Sequence, residues 1–128
     1  MITGIDHFTI NVTSIEKSIY FYKEILGLKQ LNTIDMGDHQ LSYFYLQEGC
    51  KLELINYLYE TDLNHPKVDT QGLYRHMALK TDDINGLYKK CNENNVLVKL
   101  QPTVMEKLHC TGMLIEDPNG VEIEVFEK

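Results

Sequence analysis

The sequence of 128 residues repeats one pattern of strand-like and helix-like segments, and this repeat constrains the fold more than any other feature. In each half, a short segment with period-two alternation precedes an amphipathic helical segment, and three more strand-like segments follow. A shift of 69 residues maps His76 onto His7 and Ile84 onto Ile15, so the helix keeps its place after the first strand. A period of roughly 70 residues is longer than that of solenoid repeats. The order therefore predicts a duplicated α+β domain built from two βαβββ modules.

The first module is predicted over residues 1–59 and opens with an alternating strand at Ile5–Val12. Thr13 is predicted to cap the following helix, because Thr13-Ser14-Ile15-Glu16 has the spacing of a capping box. The apolar residues of this helix recur at helical spacing and are Ile15, Ile19, Tyr22 and Leu26. Gly27 should end the helix as its C′ residue, where a positive φ costs glycine no steric energy. Three further strands are predicted near Lys29–Asp35, Gln40–Gln47 and Lys51–Leu58.

The second module is predicted over residues 73–128, after a polar linker at 60–72 that contains Pro66 and lacks periodicity. Thr81-Asp82-Asp83 should cap its helix and Asn94-Asn95 should end it. The apolar residues of this helix are Ile84, Leu87, Tyr88 and Cys91. Strands are predicted near Tyr74–Lys80, Val96–Leu100, Leu108–Ile115 and Val121–Glu127. Asp117–Gly120 joins the last two strands as a β-turn, with proline second and glycine fourth.

Charge and composition exclude several classes of partner. A net charge of −7 and a pI near 5.1 argue against nucleic acid or an anionic membrane as a partner. No apolar stretch approaches the ~18 residues of a membrane span, and no apolar secretory segment follows the N-terminus. The three cysteines are an odd number without zinc-finger spacing, which is typical of reduced thiols. We therefore expect a cytoplasmic protein that binds neither nucleic acid nor an anionic membrane.

A histidine and a glutamate occupy corresponding places in the two halves. The separation is 53 − 7 = 46 residues in the first half and 124 − 76 = 48 residues in the second. Strand alternation puts each of the four opposite to its apolar neighbours, on the sheet face that the helix does not cover. Two imidazoles and two carboxylates suit a divalent nickel, cobalt, iron, manganese or zinc ion. The predicted metal ligands are His7, Glu53, His76 and Glu124.

Each of these positions also has a simpler interpretation. A strand histidine is more often an ordinary surface or core residue than a ligand, and a glutamate on the polar side of a strand is usually solvated. Glu122, Glu124 and Glu127 could all be solvated in this way. The matched placement in two copies of one unit favours the metal site over these readings.

Three segments resemble the vicinal-oxygen-chelate superfamily, and the resemblance covers nearly the whole chain. They are Phe21–Leu28, with the letters FYKEILGL, Arg75–Leu79, and Glu116–Glu124, which contains DPNG followed by VEIE. Within the superfamily, the order histidine, glutamate, histidine, glutamate is similar to that of glyoxalase I (lactoylglutathione lyase) in its short bacterial form. Dioxygenase and fosfomycin-resistance members would be expected to show two histidines and one glutamate.

The resemblance implies a fold, an assembly and a mechanism. The fold would be two βαβββ modules that form paired half-barrel sheets around a cleft with one divalent metal, with nickel, cobalt or zinc favoured over manganese or iron. Short members usually form homodimers, in which each site takes His7 and Glu53 from one chain and His76 and Glu124 from the other. A ligand glutamate, Glu53 or Glu124, would move a carbon-bound proton in a hemithioacetal of a 2-oxoaldehyde and a thiol, while the metal stabilises the developing oxyanion.

Departures from the glutathione-using relatives bear on the substrate. Those relatives tend to carry an arginine at the position of Asn11 and an asparagine at that of Tyr57. These two residues are predicted to line the pocket. His109, which shares a predicted strand phase with Thr111 and Met113, is a third candidate for its wall, and a surface histidine near a turn is the equal alternative. The pattern leaves open which thiol is used.

Three functions remain open from the sequence. The first is a metal-dependent glyoxalase I-type lyase with a thiol-conjugated small-molecule substrate. The second is another enzyme of the superfamily, such as an epimerase or a resistance enzyme that adds a thiol or water. The third is a non-catalytic protein that sequesters a small molecule, as bleomycin-resistance members do.

Overall fold

The structure, a computed structural model, describes residues 1–61 and 75–128. Most of the predicted linker, and Tyr74 at the start of a predicted strand, lie outside these ranges. The chain divides into two compact units, Met1–Asn64 and His65–Lys128. Each unit has its own four-stranded sheet.

The first unit contains one helical segment and four strands. These are β1 (His7–Asn11), α1 (Ile15–Ile19) with a π-helical continuation (Tyr20–Ile25), β2 (Gln30–Asp35), β3 (His39–Gln47) and β4 (Cys50–Tyr57). The strand order is β1-β4-β3-β2, with β1 parallel to β4 and the other pairs antiparallel.

The second unit has the same topology. Its elements are β5 (Met77–Lys80), α2 (Ile84–Glu93), β6 (Leu97–Met105), a 3₁₀ turn (Glu106–Leu108), β7 (Cys110–Glu116) and β8 (Glu122–Glu127). The order is β5-β8-β7-β6, again with one parallel pair, β5 and β8. The α+β class and the twofold βαβββ order predicted from the sequence are confirmed. Among the described residues, no helix is long and apolar enough to cross a membrane.

Each sheet buries the apolar side of its strands. In the first unit, Phe44, Leu52 and Leu54 are almost completely buried, and the Phe44 ring lies 6.2 Å from that of Tyr22 in the helical segment. In the second unit, the corresponding buried strand residues are Met77, Met113, Ile115, Ile123 and Val125. Burying these side chains removes apolar surface from water, the dominant favourable term in folding. The faces that carry Glu53 and Glu124 are the opposite ones.

The start of the first helix differs from its prediction. Ser14 is the N-cap, with an extended backbone and its Oγ accepting from the Lys17 amide at 3.4 Å. The expected cap, Thr13, is therefore wrong by one residue. Glu16 falls at the second helical position, so the capping-box geometry is not formed, and Ser14 Oγ donates to Glu16 at 3.4 Å instead.

The π-helical turn changes which residues of this helix face the sheet. Its wider ring is seen in the Leu26 amide bond to the Phe21 carbonyl, five residues back, at 2.9 Å. Of the predicted apolar stripe, Tyr22 is fully buried, whereas its other members are only partly covered. The buried residues are Ser18, Phe21, Tyr22 and Ile25. Gly27 ends the segment with φ of +72°, as predicted.

The second helix begins and ends where the sequence predicts. Asp83 is the N-cap and accepts from the Gly86 amide at 2.8 Å, while Asn94 is the C-cap and Asn95 has a φ of 56°. All three cysteines are free and buried, which confirms the expected unpaired thiols.

Three strand boundaries in the second unit differ from the prediction. β5 begins at Met77, so Arg75 and His76 precede the strand in which they were predicted to lie. β6 continues past Pro102 to Met105, because an edge strand tolerates a residue without an amide hydrogen. β7 begins at Cys110 rather than Leu108, since the 3₁₀ turn ends in His109 with a left-handed backbone (φ 53°).

The predicted turn between β7 and β8 is stabilised by its first residue. Asp117 is buried, and its Oδ1 accepts from the backbone amides of Asn119 and Val121 at 2.8 Å each. The Gly120 amide donates to the Asp117 carbonyl at 3.1 Å. The DPNG segment is thus a folding feature that aligns β8, the strand that carries Glu124.

Candidate functional site

The parallel pairing of β1 and β4 brings His7 and Glu53 together on one sheet face. Thr9 is the register partner of Glu53, so His7 lies one side-chain row away on the same face. His7 Nε2 lies 3.8 Å from Glu53 Oε1. The other ring nitrogen, Nδ1, lies 2.6 Å from Asp6 Oδ2, and this hydrogen bond holds the pKa of Asp6 below its usual value. Nε2 is therefore directed towards the glutamate.

Glu53 is a buried carboxylate held by two hydroxyl groups. Its residue is 7% exposed, Thr9 Oγ1 donates to Oε1 at 3.1 Å, and the Tyr43 hydroxyl donates to Oε2. The register of the sheet places Thr9, Glu53 and Tyr43 in one row across three strands. The hydrogen bond to Glu53, with burial as a smaller cause, raises the pKa of Tyr43 to about 12. Lys51 lies over the Tyr43 ring, with Nζ 5.3 Å from its centroid.

The second unit repeats the histidine–glutamate contact. His76 immediately precedes β5, and its Nε2 lies 2.8 Å from Glu124 Oε2 in β8. His76 Nδ1 faces Glu122 Oε1 at 3.5 Å. Both histidines therefore turn Nε2 towards the strand glutamate and Nδ1 towards a different carboxylate. Ligand histidines in metalloproteins commonly have such a carboxylate or carbonyl behind the ring, because it fixes the tautomer and the ring orientation.

Glu122 was not predicted to be buried, yet it is only 4% exposed and lies at the centre of an ionic cluster. Arg75 forms an ion pair with its Oε1, and Lys99 Nζ lies 3.1 Å from its Oε2. Lys99 also lies 3.4 Å from Glu116. The solvated reading of Glu122 is therefore wrong. The sequence did contain a sign of this position. Glu122 lies two residues before Glu124 in the strand, so the two side chains share one sheet face.

Asn11 and Tyr57 end the two strands that carry His7 and Glu53. Asn11 is exposed and lies in the same strand phase as His7, two residues beyond Thr9. Tyr57 packs its ring 5.9 Å from that of His39 and 5.5 Å from that of Tyr59. Both belong to the face that carries Glu53, and their part in a pocket stays a prediction.

The strand-phase argument for His109 is wrong. His109 is an exposed residue of a left-handed turn, not of β7. Met113, which was assigned the same phase, is fully buried and pairs with Val125 on the core side. Leu114, not Met113, is the register partner of Glu124.

The donor atoms of each unit suit a divalent ion, although each unit supplies only two of them. Within residues 1–61 and 75–128, no group of three or more histidine, cysteine, aspartate or glutamate side chains could hold a metal by itself. Nitrogen and oxygen ligands at about 2.1 Å from one ion are about 3.4 Å apart at a tetrahedral angle and about 3.0 Å apart at right angles. The 2.8 Å contact of His76 with Glu124 is shorter than both separations, whereas the 3.8 Å contact of His7 with Glu53 is longer.

Comparison with known proteins agrees with this fold. Residues 4–125 match the model of the Glyoxalase/Bleomycin resistance protein/Dioxygenase superfamily. The uncharacterized protein YwbC of Bacillus subtilis is 32% identical over 133 aligned positions, covering 100% of both chains. A lactoylglutathione lyase of Escherichia coli O157:H7 is 26% identical, with 95% of this chain and 90% of the relative covered.

A solved structure with the same fold has a different described role. TnmS3, an antibiotic binding protein from Streptomyces sp. CB03234, superposes with a TM-score of 0.75 over 98% of this chain and 96% of its own. Its sequence identity is 20%, so this likeness concerns the fold alone. The match over nearly all of the sequence, together with the paired βαβββ sheets, shows that the chain belongs to the glyoxalase/bleomycin resistance protein/dioxygenase superfamily.

Proposed function

We propose that the chain is a metal-dependent lyase of glyoxalase I type, acting on the hemithioacetal of a 2-oxoaldehyde and a thiol. The observation that carries the proposal is the matched contact of an imidazole Nε2 with a strand carboxylate in both units. The 26% identity to a lactoylglutathione lyase over most of both chains supports it.

The metal would be held by two histidine–glutamate pairs, one from a first unit and one from a second unit. The four ligands in this proposal are His7, Glu53, His76 and Glu124. We propose a homodimer, in which the first pair comes from one chain and the second from its partner. When bound, a divalent nickel, cobalt or zinc ion would supply Lewis-acid stabilisation of the negative charge that develops on the substrate oxygens.

The chain's own part in the reaction is to move one proton between neighbouring carbons. A glutamate carboxylate, Glu53 or Glu124, takes the proton from the carbon that carries the hydroxyl and the sulfur. It then returns the proton to the adjacent carbonyl carbon, while the hydroxyl proton passes to the oxygen of that carbon, and the hemithioacetal becomes the thioester of a 2-hydroxy acid. No atom is gained or lost, so no further reactant is needed. Burial of the carboxylate helps, because exclusion of water prevents the loss of the proton to solvent.

We propose that the thiol carries less negative charge than glutathione. The face around His7 offers the neutral side chains of Asn11 and Tyr57, and the exposed Asp6 carboxylate lies directly beside His7. A cation on this face, Lys51, is the register partner of His7 and lies over the Tyr43 ring. The net charge of −7 adds to the unfavourable field for an anionic tripeptide. A neutral or cationic thiol would meet no such repulsion.

Metal analysis and a thiol panel test the proposal. Protein purified without chelator should contain about one divalent ion per site, and metal-stripped protein should regain activity with nickel, cobalt or zinc. Methylglyoxal should be turned over with cysteamine or cysteine at least as well as with glutathione. Glu53→Gln or Glu124→Gln, whichever removes the base, should lower kcat by about 10²-fold or more, in the range of general-base contributions. Glu93→Gln, on the exposed side of α2, is the matched control and should leave kcat unchanged.

Two results would refute the lyase. One is wild-type protein that neither contains metal nor gains activity from added metal. The other is metal-loaded wild-type protein that turns over no hemithioacetal of the thiol panel.

The superfamily also supports a non-catalytic alternative, in which the chain sequesters a small molecule, as the name of TnmS3 indicates for that protein. Such a protein needs no carboxylate base. Glu53→Gln and Glu124→Gln would then leave ligand affinity intact, and no thiol would give turnover. Another enzyme on this fold, such as an epimerase, would instead show metal-dependent chemistry without any requirement for a thiol.

A further inference from the structure

The two candidate carboxylate ligands have different surroundings, although the fold around them is duplicated. Glu53 lies between Thr9 on β1 and Tyr43 on β3, and both hydroxyls donate to it. In the second unit, the same row consists of Ala78, Glu124 and Leu114. Neither an alanine nor a leucine side chain can donate a hydrogen bond. Within the described residues, the polar contact of the Glu124 carboxylate is with His76 Nε2 alone.

The two hydroxyls donate hydrogen bonds to different oxygens of Glu53. Tyr43 donates to Oε2, while Thr9 donates to Oε1. Oε1 is the oxygen that lies nearer to His7, at 3.8 Å from Nε2. A carboxylate oxygen can accept more than one interaction, so Oε1 keeps the capacity to bind an ion while it accepts from Thr9. Tyr43 therefore occupies the other oxygen, Oε2.

We propose that Tyr43, supported by Thr9, is a positioning residue that holds Glu53 as a one-oxygen metal ligand through Oε1. The inference rests on the proposed function and adds to it a residue outside the four-ligand set. Burial strengthens the effect, because hydrogen bonds to an ionised, water-excluded carboxylate are stronger than those between neutral groups. Among the described residues of the second unit, no hydroxyl shares the row of Glu124, whose carboxylate contacts His76 Nε2 instead.

The sharpest test removes a single hydroxyl and measures cobalt binding to the full-length protein. Tyr43→Phe keeps the ring and deletes the donor. Tyr45→Phe is the matched control, because Tyr45 lies in the same strand and phase, pairs with Lys51 and is exposed. The dissociation constant for Co²⁺ is measured by competition with a chromophoric chelator, and the visible absorption of the bound cobalt reports its coordination. Urea unfolding in EDTA checks that each metal-free variant is folded.

Tyr43→Phe should weaken Co²⁺ binding about 10- to 100-fold, the usual effect of losing a partner that orients a ligand. The cobalt absorption should change, since a released Oε2 can join the coordination. Tyr45→Phe should stay within about twofold of wild type by the same chelator competition. Thr9→Val should weaken binding in the same direction, and it decides the question if Tyr43→Phe does not fold.

Failure of the inference is distinct from failure of the proposed function. Wild-type affinity and an unchanged cobalt spectrum in Tyr43→Phe would overturn the positioning role and leave the lyase standing. The same result in Thr9→Val would overturn the supporting role of that residue. Wild-type protein that binds no divalent metal would overturn the proposed function, and the positioning role would fall with it.

Discussion

Replacing Glu122 by glutamine should destabilise the protein by about 2 kcal/mol. Removal of one member of a buried ion pair costs about 3–5 kcal/mol when the remaining charge stays out of water. Here the remaining charges are partly solvated or keep another ionic partner, so the loss is smaller. The Arg75 and Lys99 side chains are 39% and 29% exposed, and Lys99 retains Glu116 at 3.4 Å. Discounting the loss by roughly half for this exposure leads to the expected value.

Urea unfolding followed by far-UV circular dichroism measures this loss in metal-free protein. Glu93→Gln is the matched control, because the Lys89–Glu93 pair is also ionic but lies at 3.8 Å with both side chains more than half exposed. Its loss should be about 0.5 kcal/mol or less. A Glu122→Gln variant within about 0.5 kcal/mol of wild type, at an unchanged denaturant slope, would contradict the reasoning. So would equal losses in the two variants, because burial would then have no effect.

Three further outcomes follow from local contacts. Asp117→Ala should lower the free energy of unfolding by about 2–4 kcal/mol in urea, because it leaves one buried and one partly buried turn amide without their acceptor at 2.8 Å. Asp117→Asn keeps an oxygen and should cost about half as much. Ser14→Ala should lower the free energy of unfolding by about 1 kcal/mol and Thr13→Ala by distinctly less. A larger loss in Thr13→Ala than in Ser14→Ala would instead support the predicted capping box. Burial raises the pKa of the Cys91 thiol above 9.0, so the folded state holds this proton where the unfolded chain loses it. The resulting stability is complete below that value and falls as pH rises towards the folded pKa, and Ellman's reagent at pH 8 should label Cys91 only after unfolding.

Strand alternation was sufficient to predict the faces of the sheets. Leu52, Leu54 and Phe44 are apolar and buried, and Glu53 between the first two must then point to the other side. The cap and the internal geometry of the first helix were harder to predict from the sequence. The difference between Thr13 and Ser14 as the cap depends on one residue of phase, and a π-helical turn leaves no period in the sequence that separates it from an ordinary helix.

The neighbours of the candidate ligands depended on register, which alternation alone does not specify. A plain hairpin with Glu48-Gly49 as its loop pairs Gln47 with Cys50, and continuing that register would place Phe44 opposite Glu53. An irregularity between Tyr45 and Gln47 shifts the pairing by one residue and brings Tyr43 opposite Glu53. The shift has a physical cause, since register partners share a sheet face and Phe44 must join Leu52 in the core. The contact of Tyr43 with Glu53 was therefore implicit in the apolar pattern.

Duplication explains why the histidine–glutamate pairs recur and also why their surroundings differ. The parallel strand pair and the adjoining strand occur in both units, so a residue at a given row meets the same backbone neighbours in each. The side chains in that row are free to diverge, and they have done so: two hydroxyls surround Glu53, whereas Ala78 and Leu114 flank Glu124. Under the proposed function, repetition therefore supports the assignment of the ligands, because a shared ion would need both pairs. It is poor evidence for the role of each carboxylate, because the groups that orient a carboxylate belong to the part of the row that the two units do not share.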